Sequence, residues 1–426
     1  LDVLAQNEAN GVNPESYEKI AKFIVDECSD LAQILPVNYD NFSTKEKGRV
    51  TRAAAMALKS RVTLYMASPL FSEDSEDKWK QAAEAAYDII KQKTDLGLDL
   101  VPYPQIFNDV NNQKAEVILY RPTGESGDFE KANFPIGVEG GKTSTCPTQN
   151  LMEAYDMKDG TPFVWNNQSN PYDNRDPRMK YTIVCNEMKW PVDPVEIWEG
   201  GTNGLPLQNA TTTGYYLKKY VNNTISFEAG STVTKKQHNW VLFRYGEILL
   251  NYAEAMINAF HDPNYKDAVY NMSAREAVNQ IRGRTNISLP GFPSDITEKD
   301  FVKRLKNERR VELAFEGHRF WDLRRTRNMM KLAGWTKHGI EAIAINPDGT
   351  DMNLNTARTK MNNNELTTGD FRYVIHQVPY TEAAERQFVI EESFYFFPIK
   401  KTYLDENPNL EQNNNWGGTF NPTMEQ

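Results

Sequence analysis

The first hydrophobic rhythm lies between residues 16 and 35. In "SYEKIAKFIVDECSDLAQIL" the residues Ile20, Phe23, Ile24, Cys28 and Leu31 recur at three- and four-residue spacing, which predicts an amphipathic helix stopped by Pro36. "GRVTRAAAMALKSRVTLYMA" predicts a second helix, whose Ala53, Ala54, Ala55 and Ala57 let a neighbour approach closely. "DKWKQAAEAAYDIIKQK" predicts a third, antiparallel to the second across a short loop containing Pro69. Another helical block begins at Trp240. In "WVLFRYGEILLNYAEAMINAF" the residues Val241, Tyr245, Ile248, Leu249, Tyr252 and Met256 share a face, and "KDAVYNMSAREAVNQIRGRT" reads as the partner helix. Both second helices spell A-x-E-A-x-x-x-I: Ala82, Glu84, Ala85, Ile89 and Ala274, Glu276, Ala277, Ile281. The recurrence points to a scaffold of helix pairs of tetratricopeptide type.

Between residues 121 and 240 the periodicity collapses into Gly-, Asn-, Pro- and Thr-rich stretches such as "VEIWEGGTNGLPLQNATTTG". Residues 340–370 behave alike, and "FRYVIH" and "FYFFPI" read as short aromatic strands. Long loops in a compact protein usually carry function. The expected fold is therefore mainly α, a tetratricopeptide-like helix-pair scaffold with long irregular insertions and a few short strands. Three regions follow: a helical first part over 1–120, a loop-rich, aromatic-bearing insertion over 121–240 that faces ligand, and a helix pair with an irregular tail over 241–426. Together they form one structural unit.

Composition narrows the function classes. The 426 residues are 39% hydrophobic and 25% charged, enough for a large core, and the net charge is −10 with no run of five basic residues. Nucleic-acid binding requires a basic stripe, so it is excluded as a reading. Cys28, Cys146 and Cys185 form no C-x-x-C and cannot all pair, which excludes a disulfide framework and a Cys-rich zinc site. Cys28 reads as a small buried hydrophobe. No apolar run approaches the roughly 20 residues of a membrane span. The opening "LDVLAQNEAN" has neither an initiator Met nor a signal-peptide pattern, so the chain reads as processed or partial.

Catalytic and cofactor motifs fail in turn. "GVEGGKT" resembles a phosphate loop, but Ile136 stands where the first Walker glycine belongs and prolines flank it. The five histidines form no H-E-x-x-H, and no G-x-S-x-G occurs. "NPDGTDMN" departs from calcium-loop spacing and reads as an Asp-Gly turn. The sequence calls for no cofactor and no metal.

The densest chemistry is "NERRVELAFEGHRFWDLRR", Asn307 to Arg325. At 100° per residue from Phe301, the residues Leu305, Glu308, Glu312 and Phe315 fall within about 40° of one line. Two carboxylates thus share a stripe with apolar anchors, and a buried carboxylate requires partners. Arg309 borders the stripe, and Arg319, Asp322 and Arg325 recur after Gly317. A glycosidase reading takes Glu308 and Glu312, or Glu316 and Asp322, as acid and nucleophile. The charge balance and apolar neighbours favour a structural strut instead.

This stretch closely resembles the C-terminal signature of the SusD/RagB family of Bacteroidetes surface lipoproteins, matched from Glu308 to Arg325. "LFRYGEILLNYAEAMINA", "GRVTRAAAMALKSRVTLYMASPLF", "YDMKDGTPF", "NRDPRMKYTIV", "TGYYLKKY" and "FPIKKTYLDENPNLEQNNNW" resemble further family positions in order, so the likeness covers nearly the whole chain. The resemblance implies a non-catalytic nutrient-binding protein, held by an N-terminal lipid on the outer face of the outer membrane. Such a protein captures oligosaccharides or polysaccharide for a SusC-like TonB-dependent transporter. The family's lipidated Cys and first helical stretch are not in this sequence. Peptide capture by the same architecture is the alternative, and a glycoside hydrolase the third. Within the loop-rich insertion, Trp165, Tyr172, Trp190 and Trp198 are the candidate stacking platforms for sugar rings, flanked by Gly, Asn or Pro; about two of the four are expected to touch ligand, since a Trp beside Pro, as in "KWPVDP", often only pins a loop to the scaffold.

Overall fold

The computed structural model describes residues 11, 15–41, 48–73, 75–108, 111, 114–166, 170–190, 194–227, 234–378 and 389–423. The opening ten residues and Pro191 of the sequence reading lie outside the described residues. Seven helices carry the scaffold: α1 (Tyr17–Ile34), α2 (Arg52–Ala67), α3 (Glu76–Lys91), α4 (Tyr245–Phe260), α5 (Ala274–Arg282), α6 (Glu298–Glu312) and α7 (His318–Arg325). Shorter turns are named by residue number.

Local sequence starts each long helix. Side chains of Ser16, Thr51, Ser75 and Thr297 accept from the backbone N–H groups of Lys19, Ala54, Lys78 and Asp300. Ser273 and Glu276 form a reciprocal capping box that starts α5. The helices then stack in sequence order: α1 on α2, α2 on α3, α3 on α4 and α4 on α5, with α6 against α4. The repeated alanines do the work expected of them. Ala82, Ala274 and Ala277 are buried with Ile89 and Ile281 in the main core, and Ala85 is buried as well, so α3 and α5 approach their neighbours closely. The result is a mainly helical, tetratricopeptide-like scaffold.

Several boundaries differ from the sequence pattern. Asn239–Arg244 is a strand, β4, paired antiparallel with β1 (Val117–Pro122), and α4 begins only at Tyr245. The ladder and the burial of Arg244 override the helical period of "WVLFR". Residues 266–272 are not helical, because Asp267 takes the backbone N–H groups of Val269 and Tyr270 into a turn. "FYFFPI" forms one 3-10 turn at Glu392–Tyr395 and no strand, whereas "FRYVIH" lies in β6 (Phe371–Gln377), paired with β5 (His338–Ala344). A third ladder joins β2 (Ile183–Val184) and β3 (Tyr216–Leu217). On α1 only Ala21 and Cys28 are buried, while Ile20, Phe23 and Leu31 are exposed, since α2 covers a narrow strip of it.

The irregular segments build cores of their own. One gathers Met152, Tyr155, Tyr172, Met179, Trp198 and Tyr215 around β5 and β6, and another packs Phe134, Trp190, Ile197 and Tyr216. What ties these cores to the helical stack is a buried charge network. Glu312 on α6 accepts from Arg178 (2.9 Å), Arg244 (2.9 Å) and Arg284 (2.9 Å). Glu308 accepts from Arg178 (2.5 Å) and Arg282 (2.7 Å), and Glu116 from Arg244 (2.8 Å) and Arg284 (3.0 Å). A second knot joins Asp322 to Arg309 and Arg325, with Arg325 forked onto Glu254.

Burial alone would raise these carboxyls, but the arginines outweigh it and hold Glu254, Glu308, Glu312, Glu316 and Asp322 below the usual range. Arg61 holds Glu247 at about 2 in the same way. Depressed carboxylates stabilise the fold fully above about pH 4.5 and lose that contribution as pH falls through the folded values. Glu187 has the opposite sign. Burial and the nearby Glu196 push it up to about 7, so its contribution is full below about 4.5 and is lost as pH rises through about 7. Thermal melts across pH should therefore fall on both sides, and Glu187→Gln should flatten only the upper limb; an unchanged upper limb would remove Glu187 from that account. Glu312→Ala should cost about 3–5 kcal/mol in chemical denaturation, because three guanidinium groups lose a shared buried partner. A wild-type melting curve for this variant would refute the strut.

Candidate functional site

The carboxylates of the Asn307–Arg325 stretch do not form a catalytic pair. Glu308 and Glu312 are 3% and 0% exposed and saturated by arginines, and Glu316 accepts from Arg244 (2.7 Å) and Lys219 (2.8 Å). A general acid requires a raised pKa, and each of these is lowered. Two residues of the motif depart from the expected stripe. Phe315 lies beyond the end of α6 in a left-handed turn (φ 61°) and is exposed, and Gly317 (φ 83°) then redirects the chain. Arg319 consequently stands outside the buried network and lines a surface groove.

The expected stacking platforms are largely interior. Tyr172, Trp190 and Trp198 are 6%, 3% and 1% exposed. Trp198 packs against Phe371, with Arg358 over its ring at 4.9 Å, while its backbone N–H meets Asn186 Oδ1 at 3.2 Å. Trp190 meets Phe134 edge to face at 5.3 Å, and Tyr172 meets Tyr373 likewise at 5.1 Å. Segments rich in Gly and Pro have no helical stack to bury them, so their largest side chains become their own core. Trp165 alone of the four is only half-buried, packed against the core around β5 and β6 beside Phe163 at 6.4 Å.

Two of the concavities among the described residues bear on the choice of site. The larger, about 790 Å³, runs along α7 between Asn150, Phe315, Arg319, Phe320, Leu332 and Trp335 and continues into a neighbouring groove past Arg310. The other, about 460 Å³, lies in the irregular region, where β3 ends against the turn at Pro177–Thr182. Its wall includes Phe107, Tyr181, Trp190, Lys218, Asn222 and Asn223. Aromatic edges beside amides and a cation suit a polar ligand with apolar faces, and the size lies within the usual range of about 300–1,000 Å³.

Backbone geometry makes this pocket. The N–H groups of Lys218 and Lys219 both reach Thr182 O, at 3.0 and 3.3 Å, which sets the two lysines side by side. Lys219 turns inward to Tyr103 Oη (2.9 Å), Ala314 O (2.7 Å) and Glu316, and burial first of all pulls it down to about 8. Lys218 stays at the pocket wall. Tyr220 follows in a left-handed conformation (φ 67°), a strained state for a bulky residue, held by Phe107 and Trp240 rings at 4.9 and 5.0 Å. Glu130 accepts from the Asn222 N–H (3.0 Å) and from the His238 ring (2.9 Å), fixing the opposite rim. Of the four aromatics expected from sequence, only Trp190 reaches this pocket. Tyr181, Lys218 and Asn222 were not anticipated. Their segments, "NRDPRMKYTIV" and "TGYYLKKY", stand out as motifs, but no local pattern marks those side chains.

Burial reverses the expectation for the tryptophans. Trp198→Ala should cost about 3–5 kcal/mol, and Trp190→Ala a similar amount. Thermal melting that leaves either variant at the wild-type midpoint would return that indole to a display role.

Comparison with known proteins agrees with this architecture. The family model described as the SusD family matches residues 106–416. A SusD-like carbohydrate binding protein from Bacteroides fragilis NCTC 9343 aligns at a TM-score of 0.71 and 25% identity, covering 96% of this chain and 74% of that one. A SusD-like protein from the same organism aligns at 0.67 and 22%, over 93% and 71%, and supports the fold alone. The SusD-like protein P38 of Formosa agariphila is 36% identical over 102 residues, 22% of this chain, so the match spans only 18% of that curated relative. With nearly three quarters of its length matched by the family model, the chain belongs to the SusD family.

Proposed function

We propose that this protein captures oligosaccharides without cleaving them, and that the pocket at Tyr181, Lys218 and Asn222 is where it does so. The observation that carries the reading is the pocket's wall, which sets aromatic edges beside amides and hydroxyls in a chain of the SusD family. Sugars present weakly apolar C–H faces ringed by hydroxyls, and this wall matches both features. A similar protein named as carbohydrate binding supports the ligand class. The saturated, depressed carboxylates of α6 and α7 support a non-catalytic role. Among the described residues no helix is long and apolar enough to cross a membrane. Attachment to the outer face of the outer membrane by an N-terminal lipid, and delivery to a SusC-like TonB-dependent transporter, complete the reading.

Calorimetric titration with an oligosaccharide panel tests it. Tyr181→Ala should weaken binding by about 1–3 kcal/mol, by analogy with base stacking on aromatics, and leave the melting temperature in place. Trp335→Ala, in the groove along α7, should leave affinity unchanged. The reverse pattern would move the site to that groove, and shortened sugars in the recovered ligand would reject capture without cleavage. Delivery predicts that affinity purification of the full-length protein from detergent-solubilised envelopes recovers a TonB-dependent barrel. Recovery of the protein alone would overturn delivery while capture stands.

A further inference from the structure

We infer that the ligand of this pocket is an anionic saccharide, carrying a carboxylate or a sulfate ester. The inference rests on the capture reading above and adds the charge class. Its starting point is the difference between neighbouring lysines. Lys219 and His238, which both line the pocket, already have carboxylate partners in Glu316 and Glu130. Lys218 has none. Its ammonium lies 3.7 Å from the Met188 sulfur, a weak acceptor that supplies no charge.

The surroundings sharpen the contrast. Lys218 is half-buried, and burial first, with repulsion from another lysine, Lys180, weighs against its charged form. Among the described residues the pocket wall carries no carboxylate side chain. The chain as a whole has a net charge of −10, so carboxylates are plentiful elsewhere. A half-buried ammonium without a counter-charge is unfavourable. A ligand anion would provide the missing charge, and the desolvated wall would strengthen the attraction. Lysine is a compact point charge without the planar fork of arginine, so the site accepts carboxylate and sulfate geometry alike. Asn222 is already turned to receive a polar ligand. Its Oδ1 is occupied by the Thr224 N–H (3.0 Å) and hydroxyl (2.7 Å), which leaves the amide N–H groups as donors at the wall.

Matched saccharide pairs test the proposal. Oligogalacturonate is compared with its methyl ester, and a sulfated galactan oligosaccharide with its desulfated form, by calorimetric titration on the wild type, Lys218→Met and Lys218→Arg. At least one anionic member should bind about tenfold or more tightly than its neutral mate. That preference should shrink as salt rises from about 0.05 to 0.5 M. Lys218→Met should abolish the preference without lowering the melting temperature, and Lys218→Arg should keep most of it. Whichever pair shows the preference identifies the anion. Equal or better binding of the neutral members overturns the charge inference and leaves capture standing. A preference that survives in Lys218→Met places the attraction elsewhere on the surface and also overturns it. Failure of every member, charged and neutral, to bind counts against capture itself.

Discussion

Glu312 is the carboxylate on which the rest of this structure depends. Its two oxygens receive Arg178, Arg244 and Arg284, which arrive from the turn at 177–182, the end of β4 and the loop after α5. None of these segments is near another in sequence, so the interaction fixes tertiary geometry and not local conformation. Taking such charges out of water is costly, and a hydrophobic cluster of equal volume is often as stable. What the network adds is discrimination. Removing any one partner leaves a buried charge unmatched, so alternative packings of the irregular region against the helices are strongly disfavoured.

The same network reaches the pocket. Tyr103 Oη donates to Glu312 O (3.1 Å) and accepts from Lys219, which also binds Glu316. Lys219 is therefore an arm of the strut, and its anchoring fixes the backbone of Lys218 and Tyr220 on either side. The left-handed Tyr220 persists because both flanks are overdetermined: Lys219 by its acceptors, Tyr220 by Phe107 and Trp240. A loop tied in this way presents its polar groups in one arrangement, which lowers the ordering cost of binding.

How far the sequence discloses this depends on the range of each interaction. Helices α2, α3 and α4 are legible because their signals are local, in the capping residues of α2 and α3, in alanine-lined faces and in a period of 3.6. The carboxylate stripe of α6 is legible too, since Glu308 and Glu312 lie one turn apart, although their partners are not. Where the range lengthens the reading fails. Strand β4 looks helical because its pairing partner β1 lies more than a hundred residues earlier. Trp190 and Trp198 look like display residues because Gly and Pro surround them, yet tertiary packing makes them the centres of two small cores. Tyr181, Lys218 and Asn222 come together only through the β2–β3 ladder and the Thr182 carbonyl, and no window of sequence contains that arrangement.

The adjacent lysines show how one scaffold separates support from recognition. Lys218 and Lys219 share composition, position and nearly the same backbone hydrogen bond. One turns into the core and the other to the pocket wall, because the chain leaves β3 directly into a turn at Lys219. The inward lysine acquires a carboxylate and loses water, so it contributes to the fold. The outward one keeps part of its hydration and, among the described residues, lacks a fixed counter-charge, so on the proposed reading its free energy depends on what enters the pocket. The turn after β3 thus gives two identical side chains different surroundings, and the strut decides which of them faces inward.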